Sequence, residues 1–160
     1  SGLVSKADLK ARLVVALGGR AAELVVFGPA EVTQGAAGDL EMVSRLCREM
    51  VTRFGFSDLG PVALDSQGSE VFLGRDWLRS QPTHSMITGN RIDQQVRQLA
   101  RQALDQALAL LRPRRQLLDA LVEALIQEET LEGDRLRAMV EAHERQSERD
   151  ASPSVAPGLR

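Results

Sequence analysis

Apolar residues at helical spacing, interrupted by glycine and proline, constrain the fold of this chain more than any other feature of its sequence. Leu9, Leu13 and Leu17 recur four residues apart, and Ser5 followed by Asp8 forms a capping-box pattern at the start of this stripe. These features predict a helix over residues 5–26 that ends at a Gly-Pro pair. Further apolar stripes predict helices over residues 37–54, 90–113, 114–129 and 133–146. The sequence therefore predicts a mainly α, multi-helix bundle of about five helices.

Two segments depart from the helical pattern. Short apolar runs at residues 62–64 and 71–73 flank a polar stretch, which predicts a small β-hairpin around residues 61–74. The last residues are rich in serine and proline, which predicts a disordered tail over residues 147–160. We therefore expect one domain over residues 1–146, a length typical of single domains.

A pair of glycines lies inside the first predicted helix. Gly18 and Gly19 each lower helix stability by about 1 kcal/mol relative to alanine. Such a pair is tolerated where another backbone packs against the helix at short distance. We therefore expect a close backbone neighbour at this point of the chain.

Charge and residue counts exclude several classes of function. Lys and Arg total 20 against 22 Asp and Glu, and this net charge of -2 argues against nucleic-acid binding. Aromatic residues, at 3%, are too few for a base-stacking surface. The chain has one cysteine, Cys47, and two histidines that lie far apart in the sequence, His84 and His143. A complete metal or catalytic site made of cysteine or histidine side chains is therefore excluded for this chain alone. No stretch approaches the roughly 18 apolar residues of a transmembrane helix, and because the first residue is not methionine we expect a piece of a longer protein.

Two carboxylates are candidate functional residues from their positions alone. Asp39 lies in the first turn of the second predicted helix, where the helix dipole favours the deprotonated carboxylate that a metal requires. An ordinary capping aspartate would occupy the same position, so both interpretations stay open. Glu23 lies in an apolar helix turn, where we expect a buried ion pair with Arg20 or another basic residue. Both histidines are interpreted as surface residues, and the cysteine as a buried, unreactive thiol.

Five blocks of sequence, in order along the chain, carry a resemblance to a known family. The blocks are Gly18-Gly19-Arg20-Ala21-Ala22-Glu23, Thr33-Gln34-Gly35-Ala36-Ala37-Gly38-Asp39-Leu40, and residues 50–57, 72–76 and 129–134. Together they resemble the peptidase domain of the FtsH family of membrane-anchored, ATP-dependent zinc metalloproteases. The resemblance covers residues 3–142 and is strongest to cyanobacterial and chloroplast members.

The resemblance implies a zinc site of which this chain holds one ligand. In the FtsH family, zinc is bound by two histidines of an H-E-x-x-H helix and by a distant aspartate, whose position corresponds to Asp39. The glutamate of that motif would act as general base. This chain contains no H-E-x-x-H, so we expect the motif upstream and no catalytic residue in this chain. Glu23 is expected to orient the site rather than to bind zinc, and the chain alone is expected to be inactive and to bind zinc weakly or not at all.

The resemblance also implies a larger assembly. The parent protein is expected to be a metalloendopeptidase that degrades membrane and unfolded soluble proteins. Its ATP and magnesium would bind in an upstream ATPase module, and its subunits would form a homo- or hetero-hexamer. The peptidase would lie at the cytoplasmic or stromal face of a plasma or thylakoid membrane. The alternative function is a catalytically dead pseudoprotease domain that serves as an oligomerisation base.

Overall fold

A capping box starts the first helix, as the sequence predicts. The computed structural model describes residues 2–64 and 85–152. Ser5 is the N-cap of α1 (Lys6–Ala16): its hydroxyl accepts a hydrogen bond from the Asp8 backbone N–H at 3.1 Å. In return, the Asp8 carboxylate accepts from the Ser5 backbone N–H at 2.9 Å and from its hydroxyl at 2.7 Å. These bonds satisfy amide groups that a helix start otherwise leaves without partners.

The first predicted helix is divided in two. A break at Leu17, with φ -87° and ψ 0°, separates α1 from α2 (Gly18–Phe27), so the prediction of one helix over residues 5–26 is wrong in this detail. The break lies directly before the glycine pair, whose low helix propensity allows a local change of backbone direction. Backbone bonds from Leu17 N–H to Leu13 and from Ala21 N–H to Leu17 continue across it.

The remaining described residues continue the helical pattern. Short 3-10 turns at Pro29–Glu31 and Gln34–Ala36 lead into α3 (Ala37–Thr52). After the gap come α4 (Met86–Leu111), a 3-10 turn at Arg112–Arg114, α5 (Arg115–Glu128) and α6 (Gly133–Ala151). The prediction of a mainly α chain is confirmed. None of these helices is sufficiently long and apolar to cross a membrane.

The described residues up to Leu110 form a compact unit whose core comes from α1, α3 and α4. Leu13, Met50 and Ile92 are among its largest fully buried side chains. Thr52 is a buried polar residue, and its hydroxyl donates to the Arg48 carbonyl oxygen at 2.8 Å, so burial leaves it paired. The helical spacing of apolar residues thus places one face of each of these helices in a shared core.

The described residues from Leu111 onward form a second compact unit, which contains α5 and α6. Leu117 and Ala124 of α5 are buried, and Arg114 Nε donates to Glu144 Oε1 of α6 at 2.8 Å. The single domain over residues 1–146 therefore stays a prediction, since the contacts divide into two units. The helix α6 continues to Ala151, and residues 153–160 of the predicted tail lie outside the described residues.

The predicted β-hairpin is not supported. Residues 65–74 of the segment around 61–74 lie outside the described residues, and residues 61–64 form no strand. No strand occurs elsewhere in the ranges 2–64 and 85–152. The Leu64 N–H instead donates to the Thr52 carbonyl oxygen at 2.7 Å, so residues 61–64 lie against the C-terminal end of α3. Gly55 permits this arrangement: its φ is +64°, and a Cβ there would lie 2.9 Å from Pro61 Cα.

Candidate metal centre

Asp39 lies where the sequence predicts it, in the first turn of α3. Its side chain is exposed, and no other described residue forms a hydrogen bond or ion pair with the carboxylate. The helix N-terminus favours the negative charge of this group. An unpaired carboxylate at this position has both oxygens available for a cation.

A carboxylate on α2 holds the loop that leads to Asp39. Glu23 Oε2 accepts from the Thr33 backbone N–H at 3.1 Å, and Glu23 Oε1 accepts from the Thr33 hydroxyl at 2.8 Å. The same hydroxyl oxygen accepts from the Gly35 backbone N–H at 3.2 Å. The prediction of an ion pair between Glu23 and Arg20 or another basic residue is not met within the described residues, where both Glu23 oxygens accept hydrogen bonds from Thr33.

A groove runs beside Asp39, bounded by α1, the first turn of α2, and α3. Its volume is about 740 Å³. Its lining is mostly small or apolar residues: Ala11, Val15, Ala16, Gly19, Met42 and Leu46. Charged residues lie among them: Asp39, Arg12, Arg45 and Glu49. Val15 is 80% exposed within this groove.

The glycine pair has open space rather than the expected close neighbour. A Cβ built on Gly18 or on Gly19 would meet no atom of the described chain within 4 Å. The predicted approach of another backbone is therefore not made by residues 2–64 and 85–152. Because Gly19 lines the groove and Gly18 does not, the space at Gly19 belongs to the groove.

The chemistry of Asp39 fits one corner of a zinc site. Zinc accepts aspartate oxygen together with histidine nitrogen, usually in a tetrahedral arrangement. Within the described ranges, no three His, Cys, Asp or Glu side chains come close enough to hold a metal. His143 lies on α6 in the second unit, and His84 lies outside the described residues. Asp39 is thus a single donor here.

The thiol of Cys47 has no place in this site. Cys47 is fully buried in the core of the first unit. Burial raises the pKa of the thiol to about 11, because the thiolate would lose its hydration. The predicted burial is confirmed, and a thiol with this pKa is a poor nucleophile at neutral pH.

Sequence reasoning missed Thr33. The signal was present, because a threonine two residues before a glycine commonly accepts the glycine N–H in a turn of this kind. The Thr33-Gly35 spacing could have indicated that turn. Its bond to Glu23 could not have been found in this way, since the two residues lie ten positions apart and meet only through the folded loop.

Comparison with known proteins identifies the class. The sequence pattern of Peptidase family M41 matches residues 1–139, and the chain belongs to that family. It is 46% identical over 144 residues to "ATP-dependent zinc metalloprotease FtsH" of Synechococcus sp., covering 89% of this chain and 22% of that protein. It is 48% identical over 141 residues to "ATP-dependent zinc metalloprotease FtsH 3" of Synechocystis sp., covering 88% and 23%.

A chloroplast relative matches a similar share of this chain. The chain is 42% identical over 140 residues to "ATP-dependent zinc metalloprotease FTSH 2, chloroplastic" of Oryza sativa, covering 86% of this chain and 20% of that protein. The resemblance to FtsH proteins of cyanobacteria and chloroplasts is thereby confirmed. The chain spans about a fifth of the length of these curated relatives.

Proposed function

We propose that this chain supplies one zinc ligand, Asp39, to the peptidase site of an ATP-dependent zinc metalloendopeptidase like its relatives. The observation that carries the proposal is the unpaired carboxylate at the rim of a groove that the described chain leaves open. The family membership supports it, and so does the position of Asp39 at a helix N-terminus.

The groove offers space for the helix that would carry the two histidine ligands. A helix with side chains is about 10–12 Å across, and small residues let two helices approach closely. Ala11, Ala16 and Gly19 are such residues, and they lie beside Asp39. We propose that the H-E-x-x-H helix, from a segment outside this chain, packs in the groove and presents its two histidines to Asp39.

The residues of this chain then have separate tasks. Asp39 contributes a carboxylate oxygen as the third protein ligand. Glu23 orients the loop rather than binding metal, because both of its oxygens already accept hydrogen bonds from Thr33. Zinc bound in such a site lowers the pKa of its water and polarises the peptide carbonyl. The general base is the glutamate of the H-E-x-x-H helix, so the chain alone is proposed to be inactive.

The wider assembly follows the relatives. We propose polypeptide substrates, both membrane and unfolded soluble proteins, and a homo- or hetero-hexamer at the cytoplasmic or stromal face of a membrane. ATP and magnesium would bind in an ATPase module outside this chain. The relatives' names supply the ATP dependence and the zinc.

A hybrid protein tests the role of Asp39. In the hybrid, this chain replaces the homologous segment of the Synechocystis relative, to which it is 48% identical. Asp39→Asn keeps the size of the side chain but removes its charge. We expect the variant hybrid to lose zinc affinity by more than about 100-fold, beyond the usual effect of losing an outer hydrogen-bond partner of a ligand. Degradation of an unfolded protein substrate should stop, while ATP hydrolysis continues.

Asp58→Asn is the matched control, since Asp58 is also an exposed aspartate of the first unit but lies away from the groove. That variant should keep zinc and proteolysis. Full zinc content and proteolysis in the Asp39→Asn hybrid would contradict the proposal. Absence of an H-E-x-x-H motif from the sequence upstream of this chain in its own protein would favour the pseudoprotease alternative, because the hybrid takes that motif from the relative.

A further inference from the structure

We propose that Thr33 is a positioning residue for Asp39, an inference that rests on the proposed function of that carboxylate. Thr33 is the N-cap of the 3-10 turn Gln34–Ala36. That turn runs without interruption into α3, and Asp39 lies in the first turn of that helix. The placement of Thr33 therefore determines where α3 begins.

The start of α3 has no cap of its own. Its N-cap is Ala36, which makes no side-chain hydrogen bond to the helix. The Ala37 N–H donates instead to the Gln34 carbonyl oxygen, within the preceding turn. Because the usual side-chain cap is missing, the first turn of α3 depends on that 3-10 turn for its position.

Thr33 fastens the 3-10 turn to α2 through one side chain. Its hydroxyl donates to Glu23 Oε1 at 2.8 Å and accepts from the Gly35 N–H at 3.2 Å. Its backbone N–H donates to Glu23 Oε2 at 3.1 Å. The hydroxyl and the backbone N–H of Thr33 therefore both connect to the Glu23 carboxylate, and the hydroxyl also binds the Gly35 amide of the turn. Hydrogen bonds to a carboxylate are stronger than those between neutral groups, so this link is well suited to fix the loop.

Asp39 needs such external support. Its side chain is exposed and unpaired among the described residues, so its orientation follows from the backbone of the first helical turn. A ligand group must be held within about 0.5 Å of its productive position. Release of the turn would thus weaken metal binding without changing any ligand.

The test compares three substitutions in the full chain and in the hybrid. Thr33→Val keeps the shape but removes the hydroxyl, Thr33→Ser restores the hydroxyl, and Gln34→Ala alters an exposed neighbour in the same turn. In the chain without metal, we expect Thr33→Val to raise the exchange rate of the Gly35 amide hydrogen by about 10-fold or more, measured by NMR. In the hybrid, it should weaken zinc binding by about 10- to 100-fold. Thr33→Ser and Gln34→Ala should resemble the unchanged protein in both measurements.

A second route to the same link keeps the proposal testable if Thr33→Val is poorly folded. Glu23→Gln places an amide where one carboxylate oxygen now accepts, and should weaken zinc binding to a similar extent. The loss of zinc affinity in the double variant should be smaller than the two single losses combined, because both changes act on the bond between the Thr33 hydroxyl and Glu23. Additive losses would show that the residues act separately and would overturn the inference.

Failure of this inference differs from failure of the proposed function. If Asp39→Asn abolishes zinc binding while Thr33→Val leaves both amide exchange and zinc affinity unchanged, the positioning role is wrong and the ligand role stands. If Asp39→Asn leaves zinc binding intact, the ligand role is wrong, and the positioning role that rests on it is overturned as well. Faster Gly35 exchange with Thr33→Val would then show only that the Thr33 hydroxyl protects this amide within the turn.

Discussion

The glycine pair at the start of α2 allows a sharp test of whether the groove is occupied in the hybrid protein. Gly19 is exposed, helical and lines the groove, and a Cβ at this position meets no described atom within 4 Å. In the chain by itself, Gly19→Ala should therefore introduce no clash. It should instead raise the free energy of unfolding by at most about 0.5–1 kcal/mol, the gain from alanine inside a helix, because Gly19 lies in the first turn of α2.

The same substitution should have the opposite effect in the hybrid. If another helix packs in the groove, an added methyl group meets its backbone, and overpacking of a filled interface costs about 1–3 kcal/mol. Gly19→Leu should be more severe and should reduce both zinc content and proteolysis. Gly18→Ala is the matched control: its Cβ also meets nothing within 4 Å, but Gly18 does not line the groove. It should stabilise the chain and leave the hybrid unaffected.

Two assays decide the outcome. Urea unfolding followed by circular dichroism gives the free energy of unfolding of the chain, and zinc analysis with a protein-degradation assay measures the hybrid. A Gly19→Leu hybrid with unchanged zinc content and proteolysis would refute the argument, because an occupied groove cannot admit a leucine side chain without displacement. Loss of stability in the isolated Gly19→Ala chain would refute it as well, since residues 2–64 and 85–152 place no atom within 4 Å of the added methyl group.

The remaining predictions concern α1 and the core. Ser5→Ala should destabilise the chain by about 1 kcal/mol at neutral pH through loss of the cap. Because hydrogen bonds from Ser5 lower the pKa of Asp8, the cap stabilises the fold above the unfolded-state pKa of Asp8 and loses this effect as pH falls through the folded-state value. The unfolding temperature of the Ser5→Ala variant should therefore change less than that of the unchanged chain between about pH 6 and pH 2, a range that brackets the reference pKa of aspartate. An equal change in the two proteins would contradict the role of the cap. Burial raises the pKa of the Cys47 thiol to about 11, so the thiol should react with a disulfide reagent only after the chain unfolds. The test is made at about pH 8, half a unit below the ordinary pKa of a cysteine. Rapid reaction of the folded chain would show that the core opens.

The sequence predicted the helices well where packing and spacing agree. The apolar stripe of α3 ends in the buried residues Met50 and Val51, and the stripe of α4 contains the buried Ile92, so periodicity found the faces that form the core. The break at Leu17 was missed because the apolar spacing continues on both sides of it. The break itself is slight, since backbone hydrogen bonds continue across it. A small change of φ and ψ at one residue leaves no mark on a periodic pattern.

For the candidate site, too, local features could be predicted from the sequence and contacts between distant residues could not. The position of Asp39 in the first turn of α3 was predictable, because helix starts have local signals. The partner of Glu23 was not, because reasoning from helix spacing considers residues three or four positions away, such as Arg20, whereas Thr33 reaches Glu23 only through the 3-10 turns of the loop. The two histidines first argued against a metal enzyme, and that argument holds only for a site built from one chain segment. A zinc site whose ligands come from separate segments leaves only part of its donor set in any one segment. Under the proposed function Asp39 is such a part: it lies in the first turn of α3, has no partner among the described residues and lines an open groove.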